Sequence, residues 1–342
     1  MPFGRARGAS YAGPVTTDAP LAISLGDPAG IGPEVVVRAL AVRPERRVLV
    51  FGDPMILVAA AERARVPRLP PESLRVVTTL GPNAVVPGQP NDASARAQLA
   101  YLEAATDAVL RGECSALVTA PISKEWIARA GFTFPGHTEY LAARAGVSEF
   151  AMMLAGPNLR VVVATTHIAL RDVPTALTPA GIASTITLTA EALARRFRLV
   201  RPRVAVAGLN PHAGEAGRFG DEEKRLVEPS IDIARSRLAE AGVDAIVTGP
   251  HVPDVVFRQA AGGAFDAVVA LYHDQGLIPV KLLHFDEAVN VTLGLPFPRT
   301  SPDHGTAFDI AGTGKADPSS LIAALTLAAR LAASTPAFAA AK

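Results

Sequence analysis

The feature that most restricts how this chain can fold is a recurring alternation of two kinds of segment. Short runs rich in β-branched residues appear again and again: "LAISLGDP", "RVLVFGDP", "SALVTAPIS", "LRVVVATTH", "RVAVAGLNPH", "DAIVTGPHVP" and "DAVVALYHD". Most are apolar without interruption, as expected of strands buried on both faces rather than one. Between them lie amphipathic stretches such as "NDASARAQLAYLEAATDAVLRG" and "DEEKRLVEPSIDIARSRLAEAG". Asn91 or Asp92 is placed to cap the first, and Asp221, Glu222 and Glu223 fall in the first turn of the second. Strand alternating with helix predicts an α/β fold, a largely parallel sheet with helices on both faces.

A chain of 342 residues exceeds one typical domain and suggests two, or one large α/β unit. Lys and Arg number 33 against 32 Asp and Glu, and no basic block carries interleaved aromatics, which argues against nucleic acid as a partner. The one cysteine, Cys114, sits in an apolar run with no disulfide partner, as in a reducing cytoplasm. No apolar run reaches the ~18 residues of a membrane span. Residues 1–19 are charged and lack an apolar signal core, so they read as a flexible leader, and the Ala-rich end reads as a fraying tail.

Histidine placement carries the most chemical information. His167 follows "VVVATT", His212 follows "VAVAGLNP" and His273 follows "AVVALY", each just past a predicted strand. In open α/β sheets ligands bind beyond the carboxyl ends of the strands. Any one of these imidazoles can cap a turn or satisfy a local carbonyl. Three delivered to one edge can also converge on a divalent cation and leave a coordination position open.

Phosphate-binding signals are weaker. "GEAGRFGDEE" spaces its glycines as GxxGxxG, and the carboxylates that follow would repel a phosphate from the helix end, so it predicts a tight loop and a self-capped helix. "GDPAGIGPE" has prolines where a phosphate cradle needs donors. The better candidate is "RTSPDHGTAFDIAGTGKADP" (299–318), read as a long polar loop before a helix and too long to be a plain connection.

That loop contains "HGTAFDIAGTGKADP", which resembles the cofactor loop of isopropylmalate and isocitrate dehydrogenases. The wider set, "GDPAGIGPE", "TAPISKE", "GHTEYLA", "LNPHAGEAGRFGDEE", "YHDQGLIPVK" and "VNVTLGLPFPRTSPDHGTAFDIAGTGKAD", closely resembles the 4-hydroxythreonine-4-phosphate dehydrogenases of pyridoxine phosphate biosynthesis, from about residue 20 to about 332. The resemblance implies two α/β/α domains with mostly parallel sheets. Residues 20–127 with 304–342 would form the first, 128–303 the second, and the active site would lie in the cleft between them. It implies a cytoplasmic homodimer with its active sites at the subunit interface.

It also implies NAD or NADP on a loop including His304, Gly305, Asp309 and Gly312, and a divalent metal (Zn, Mg or Co) on His167, His212 and His273. Substrate-binding residues would be His137, Thr138, Lys281, Asn290 and Arg299, none altered from the family pattern. The implied substrate, 4-phosphooxy-L-threonine, is a phosphorylated hydroxy-amino acid. Hydride loss at its C3 gives a β-keto acid that sheds CO₂, leaving 3-amino-2-oxopropyl phosphate. A cation on the C3 oxygen assists both steps. Asp274, Asp254 and Lys281 are each conceivable as the group that takes the hydroxyl proton, with Lys281 and Asp274 the catalytic assignments carried forward. His251 and His284 have no role in the pattern and read as structural or exposed. Two other activities share features of the sequence: a dehydrogenase of erythronate or threonate 4-phosphate, and a phosphate acyltransferase of similar fold.

Overall fold

The structure, a computed structural model, describes residues 19–43, 47–81 and 83–334. The expected leader lies almost wholly outside the described residues, as does most of the expected C-terminal tail. One mixed sheet of eleven strands organises the molecule. In chain order these are β1 (Leu21–Ser24), β2 (Val48–Gly52), β3 (Leu74–Val76), β4 (Ala116–Thr119), β5 (Ala151–Ala155), β6 (Arg160–Val163), β7 (Arg203–Ala207), β8 (Ile246–His251), β9 (Ala267–Ala270), β10 (Val289–Leu293) and β11 (Arg299–Pro302). Their spatial order is β3-β2-β1-β4-β11-β10-β5-β6-β9-β7-β8. Only β10 with β11, β10 with β5, and β5 with β6 pair antiparallel; every other pairing is parallel.

All seven apolar runs are strands, and β1, β4 and β9 are buried along their whole length. Continuous burial explains why these strands lack the in–out alternation of a solvated sheet. The sheet passes unbroken through β11 and β10, so the two expected domains share it, with β11 paired to β4. Its first four residues being β11, the polar stretch from Arg299 onward is a loop only after Pro302.

The helices are α1 (Gly32–Val42), α2 (Pro54–Ala64), α3 (Asp92–Leu110), α4 (Lys124–Arg129), α5 (His137–Ala145), α6 (Val173–Ala176), α7 (Pro179–Arg195), α8 (Glu228–Glu240), α9 (Pro253–Ala261), α10 (His273–His284) and α11 (Ser319–Ala333). Asn91 caps α3 through a reciprocal pair: its side chain accepts from Ser94 N at 3.0 Å, while Ser94 Oγ accepts from Asn91 N at 3.1 Å. The acidic segment before α8 departs from expectation. Residues 223–227 form a π turn, and Glu223 does not cap its own helix. Its buried carboxylate accepts instead from Leu209 N (2.8 Å) and Asn210 N (2.7 Å), so it braces the loop after β7. A carboxylate bonded to two backbone amides of a neighbouring turn gains more than one spent on a solvated helix end.

Candidate active site

The site grows from the place where β10 runs against its neighbours. Thr292 of β10 stands opposite Arg299 of β11, and β11 lies beside β4. The Arg299 guanidinium, 3% exposed, donates to Thr292 Oγ1 at 3.1 Å and to Thr119 Oγ1 at 2.6 Å. Its Nε has no partner, and it makes no ion pair among the described residues. Burial pushes its pKa down to about 10, against a smaller opposing pull from Glu139. A buried charge held by neutral hydroxyls is costly unless an anion completes it.

Arg299 lines a cavity of about 320 Å³ together with Asn290, His137, Thr138, Lys124 and His167. Buried polar atoms almost always find partners. Here His137 Nε2, Asn290 Oδ1 and Arg299 Nε are all buried and unpaired. The structure thus brings four of the five expected substrate residues to one cavity, three of them with an unmet hydrogen-bonding need.

His137 and Thr138 open α5, whose N-cap is Gly136 and whose end no side chain caps. Phe132, Phe134 and Tyr140 pack ring to ring at 5.5–5.6 Å and anchor the approach to this helix. Burial, with Arg299 and Lys124 nearby, holds His137 well below the usual imidazole range, so it is neutral at neutral pH.

The histidines divide into a pair and an outlier. Parallel pairing of β6 with β9 sets Val163 beside Ala270, so the chain ends that follow run side by side. His167 and His273 consequently face each other with ring centroids 5.3 Å apart. His273 Nδ1 lies 2.7 Å from Asp274 Oδ1. His167 is shifted below its ordinary pKa by desolvation, then by Lys124 and His273.

His212 stands apart. It begins a run of left-handed residues, 212–216, just after the Asn210 that Glu223 holds, and its exposed ring rests near Phe219 at 6.0 Å. Among the described residues no group of three or more His, Cys, Asp or Glu is close enough to hold a metal ion.

Gln275, which drew no attention in the sequence, ties these strand ends together. Its Oε1 accepts from Leu271 N at 2.7 Å and its Nε2 donates to Gly208 O at 2.7 Å, both buried. The next residue must be glycine, because a Cβ at Gly276 would sit 2.6 Å from Val161 Cγ1.

Lys281 does not line the cavity in this chain; its Nζ pairs with Asp303 at 3.0 Å. Of the cofactor-loop residues, His304 carries a buried, unpaired Nε2, Gly305 and Asp309 are exposed, and Gly312 lines a second cavity of about 220 Å³ with Gly30, Glu34 and Arg63. "GDPAGIGPE" is the scaffold of this loop: Ile31 N donates to Thr306 O at 2.9 Å, and Ala316 N donates to Glu34 Oε1 at 3.2 Å. Asp254 lies in the first turn of α9. His251 bonds Thr248 Oγ1 at 2.8 Å and stacks near Phe265, and His284 contacts Asn158. Lys124 and Glu139 line the cavity although neither was singled out; both lie inside quoted motifs, "TAPISKE" and "GHTEYLA". Cys114 is buried, its thiol pushed up to about 12 by desolvation. No helix among the described residues is long and apolar enough to cross a membrane.

Comparison with known proteins places the chain in a family. The family model of the pyridoxal phosphate biosynthetic protein PdxA matches residues 44–328. The 4-hydroxythreonine-4-phosphate dehydrogenase of Desulfosudis oleivorans is 50% identical, over 90% of this chain and 94% of that protein. The enzyme of the same name from Bradyrhizobium diazoefficiens is 45% identical, over 92% and 97%. A crystal structure of 4-hydroxythreonine-4-phosphate dehydrogenase from Klebsiella pneumoniae superposes with a TM-score of 0.83 at 41% identity, covering 92% of this chain and 98% of that one. A phosphotransacetylase from Staphylococcus aureus, at 16% identity and a TM-score of 0.54, shares the fold alone.

Proposed function

Because this chain belongs to the PdxA family, whose curated relatives are 4-hydroxythreonine-4-phosphate dehydrogenases, we propose that it oxidises and decarboxylates 4-phosphooxy-L-threonine with NAD or NADP in the pyridoxine phosphate pathway. The observation that carries the reading is the buried Arg299 without a counter-ion, on a cavity with two more unsatisfied polar atoms, beside a histidine pair. Such a site is built for a polar, anionic ligand.

The His167–His273 pair offers two donors to a divalent cation. The two rings stand 5.3 Å apart, Asp274 engages Nδ1 of His273 and leaves Nε2 to ligate, and His167 is held towards its neutral, ligating form. His167 and His273 would hold the metal; His212, the third ligand the family resemblance implies, stands apart from them in this structure. A bound cation would polarise the oxygen at C3 of the substrate. The protein's own groups do the rest: Arg299 offers a planar fork to an anionic group, neutral His137 exchanges hydrogen bonds without adding charge, and Asn290 accepts from a donor. For the nicotinamide cofactor, the unpaired Nε2 of His304 and the space beside Gly312 supply a polar anchor and a wall.

We also take the working enzyme to be a homodimer with shared sites. Supporting this, Ile278, Leu282 and Phe285 recur along one stripe of α10 and its end with 64%, 83% and 72% exposure. An apolar stripe of that kind calls for cover, and His273 and Lys281 lie on the same helix. The single buried thiol suits a cytoplasmic enzyme. The test is NADH or NADPH formation with 4-phosphooxy-L-threonine, erythronate 4-phosphate and threonate 4-phosphate, with and without chelator. Preference for a phosphate without the amino group would reassign the substrate; chelator-insensitive turnover would remove the metal.

A further inference from the structure

We propose that Lys124 is a substrate-binding residue that holds the phosphate at the mouth of the cavity; this rests on the substrate reading above. The charged residues on the cavity wall are Lys124, Glu139 and Arg299. The substrate brings two anionic groups, phosphate and carboxylate, and one ammonium. Arg299 alone cannot answer both anions, and within this chain Lys281 is already engaged by Asp303. Lys124 is the other cation that faces the cavity.

Its setting is that of a bound-ligand contact rather than a free surface charge. Lys124 makes no ion pair among the described residues, although Glu125 is adjacent in sequence and Glu139 borders the same glycine, Gly136. Its charge acts on His137. Its Nζ and the Glu139 carboxylate flank Gly136, 3.9 Å and 3.4 Å from where a Cβ there would be, at the uncapped start of α5 that carries His137 and Thr138, so Lys124 offsets the acidic charge an incoming phosphate meets. Helix-start amides, a hydroxyl and an ammonium form a phosphate-binding set, with Arg299 buried and unpaired behind it.

The backbone under Lys124 is fixed by a buried relay. Asp27 Oδ2 accepts from Gln98 Nε2 at 3.0 Å, and Gln98 Oε1 accepts from Ser123 N at 2.9 Å. Asp27 N donates to Pro121 O at 2.9 Å, and Ser123 caps α4. The backbone that carries Lys124 is thus held in place, so that only its side chain is ordered when it closes on a ligand.

Calorimetric titration with 4-phosphooxy-L-threonine, in the absence of nicotinamide, tests the assignment. Lys124→Ala should raise Kd about tenfold, the lower end for a charge-assisted contact because solvent screens the mouth. Lys124→Arg should recover most of the loss. In turnover, KM should rise while kcat stays within about twofold of wild type. Thermal unfolding of both variants should match wild type, since the side chain is exposed. An unchanged Kd in Lys124→Ala, or a fall in kcat at unchanged KM, overturns the assignment while leaving the substrate reading standing. A folded wild-type protein that binds no 4-phosphooxy-L-threonine overturns both.

Discussion

Arg299→Met separates the cost of the site from its use. The variant removes a guanidinium whose pKa burial has driven well below the ordinary arginine value, to about 10. At 1.36 kcal/mol per unit, keeping it charged in the folded state costs about 3 kcal/mol. The sign follows from the direction: a base whose folded pKa is depressed destabilises the fold at every pH below about 10, and the penalty lifts only as pH rises through that value. Against it stand the bonds to Thr292 and Thr119, together worth about 3 kcal/mol at the lower end for bonds to a charged group, whose hydroxyls can rotate to other acceptors. Methionine fills most of the vacated volume. The two terms nearly cancel, so the melting temperature should stay within about 3 °C of wild type, against the larger fall usual for a buried substitution. Activity should behave differently. Removing one member of a desolvated charge pair costs about 3–5 kcal/mol, or roughly a hundredfold to a few thousandfold in kcat/KM. Calorimetric melting and steady-state kinetics on one preparation read both quantities. A variant that melts more than about 8 °C lower would show that Arg299 is a structural group, and one that retains kcat/KM would show that its guanidinium never meets the substrate.

Three further outcomes follow from the same geometry. His212→Ala should reduce bound metal, measured by elemental analysis of the purified protein; equal content in variant and wild type would leave His167 and His273 to bind without it. Leu282→Asp places a charge on the 83% exposed position of the α10 stripe, and sedimentation should show dimer giving way to monomer with unchanged secondary structure. A dimer that persists would move the interface elsewhere. Gln275→Leu leaves Leu271 N and Gly208 O without their buried partners and should lower stability by about 2–4 kcal/mol, read as a shifted denaturant midpoint at constant slope.

The extent to which the sequence was legible depended on where the determining contacts lie. Strands buried on both faces announce themselves, because every residue must be apolar; β1, β4 and β9 are of this kind. β11, "RTSP", carries an arginine, two hydroxyls and a proline, and becomes a buried strand only because β4 and β10 flank it. No local pattern encodes that. The His167–His273 pair was readable because adjacent parallel strands end together, whereas His212 opens a left-handed run after a loop that Glu223, eleven positions on, holds at Leu209 and Asn210. Lys124 was invisible for a different reason. A lysine at the first turn of a short helix looks like any solvated charge until the cavity wall beside it is seen.

The choice of guanidinium at the centre of the cavity has a physical reason of its own. Full burial lowers the pKa of any cation placed there, and nothing in hydrogen-bonding distance of residue 299 is acidic. A lysine displaced as far would titrate close to physiological pH and would be partly neutral before substrate arrived. Arginine starts high enough that, even at about 10, it remains fully charged. Had Glu139 been close enough to pair with it, the fold would be steadier and the cavity would be electrically closed to an incoming phosphate or carboxylate. Leaving Arg299 buried, charged and unpaired stores in the free protein a cost that anion binding relieves, which favours ligands able to supply the missing charge over neutral ones of the same shape.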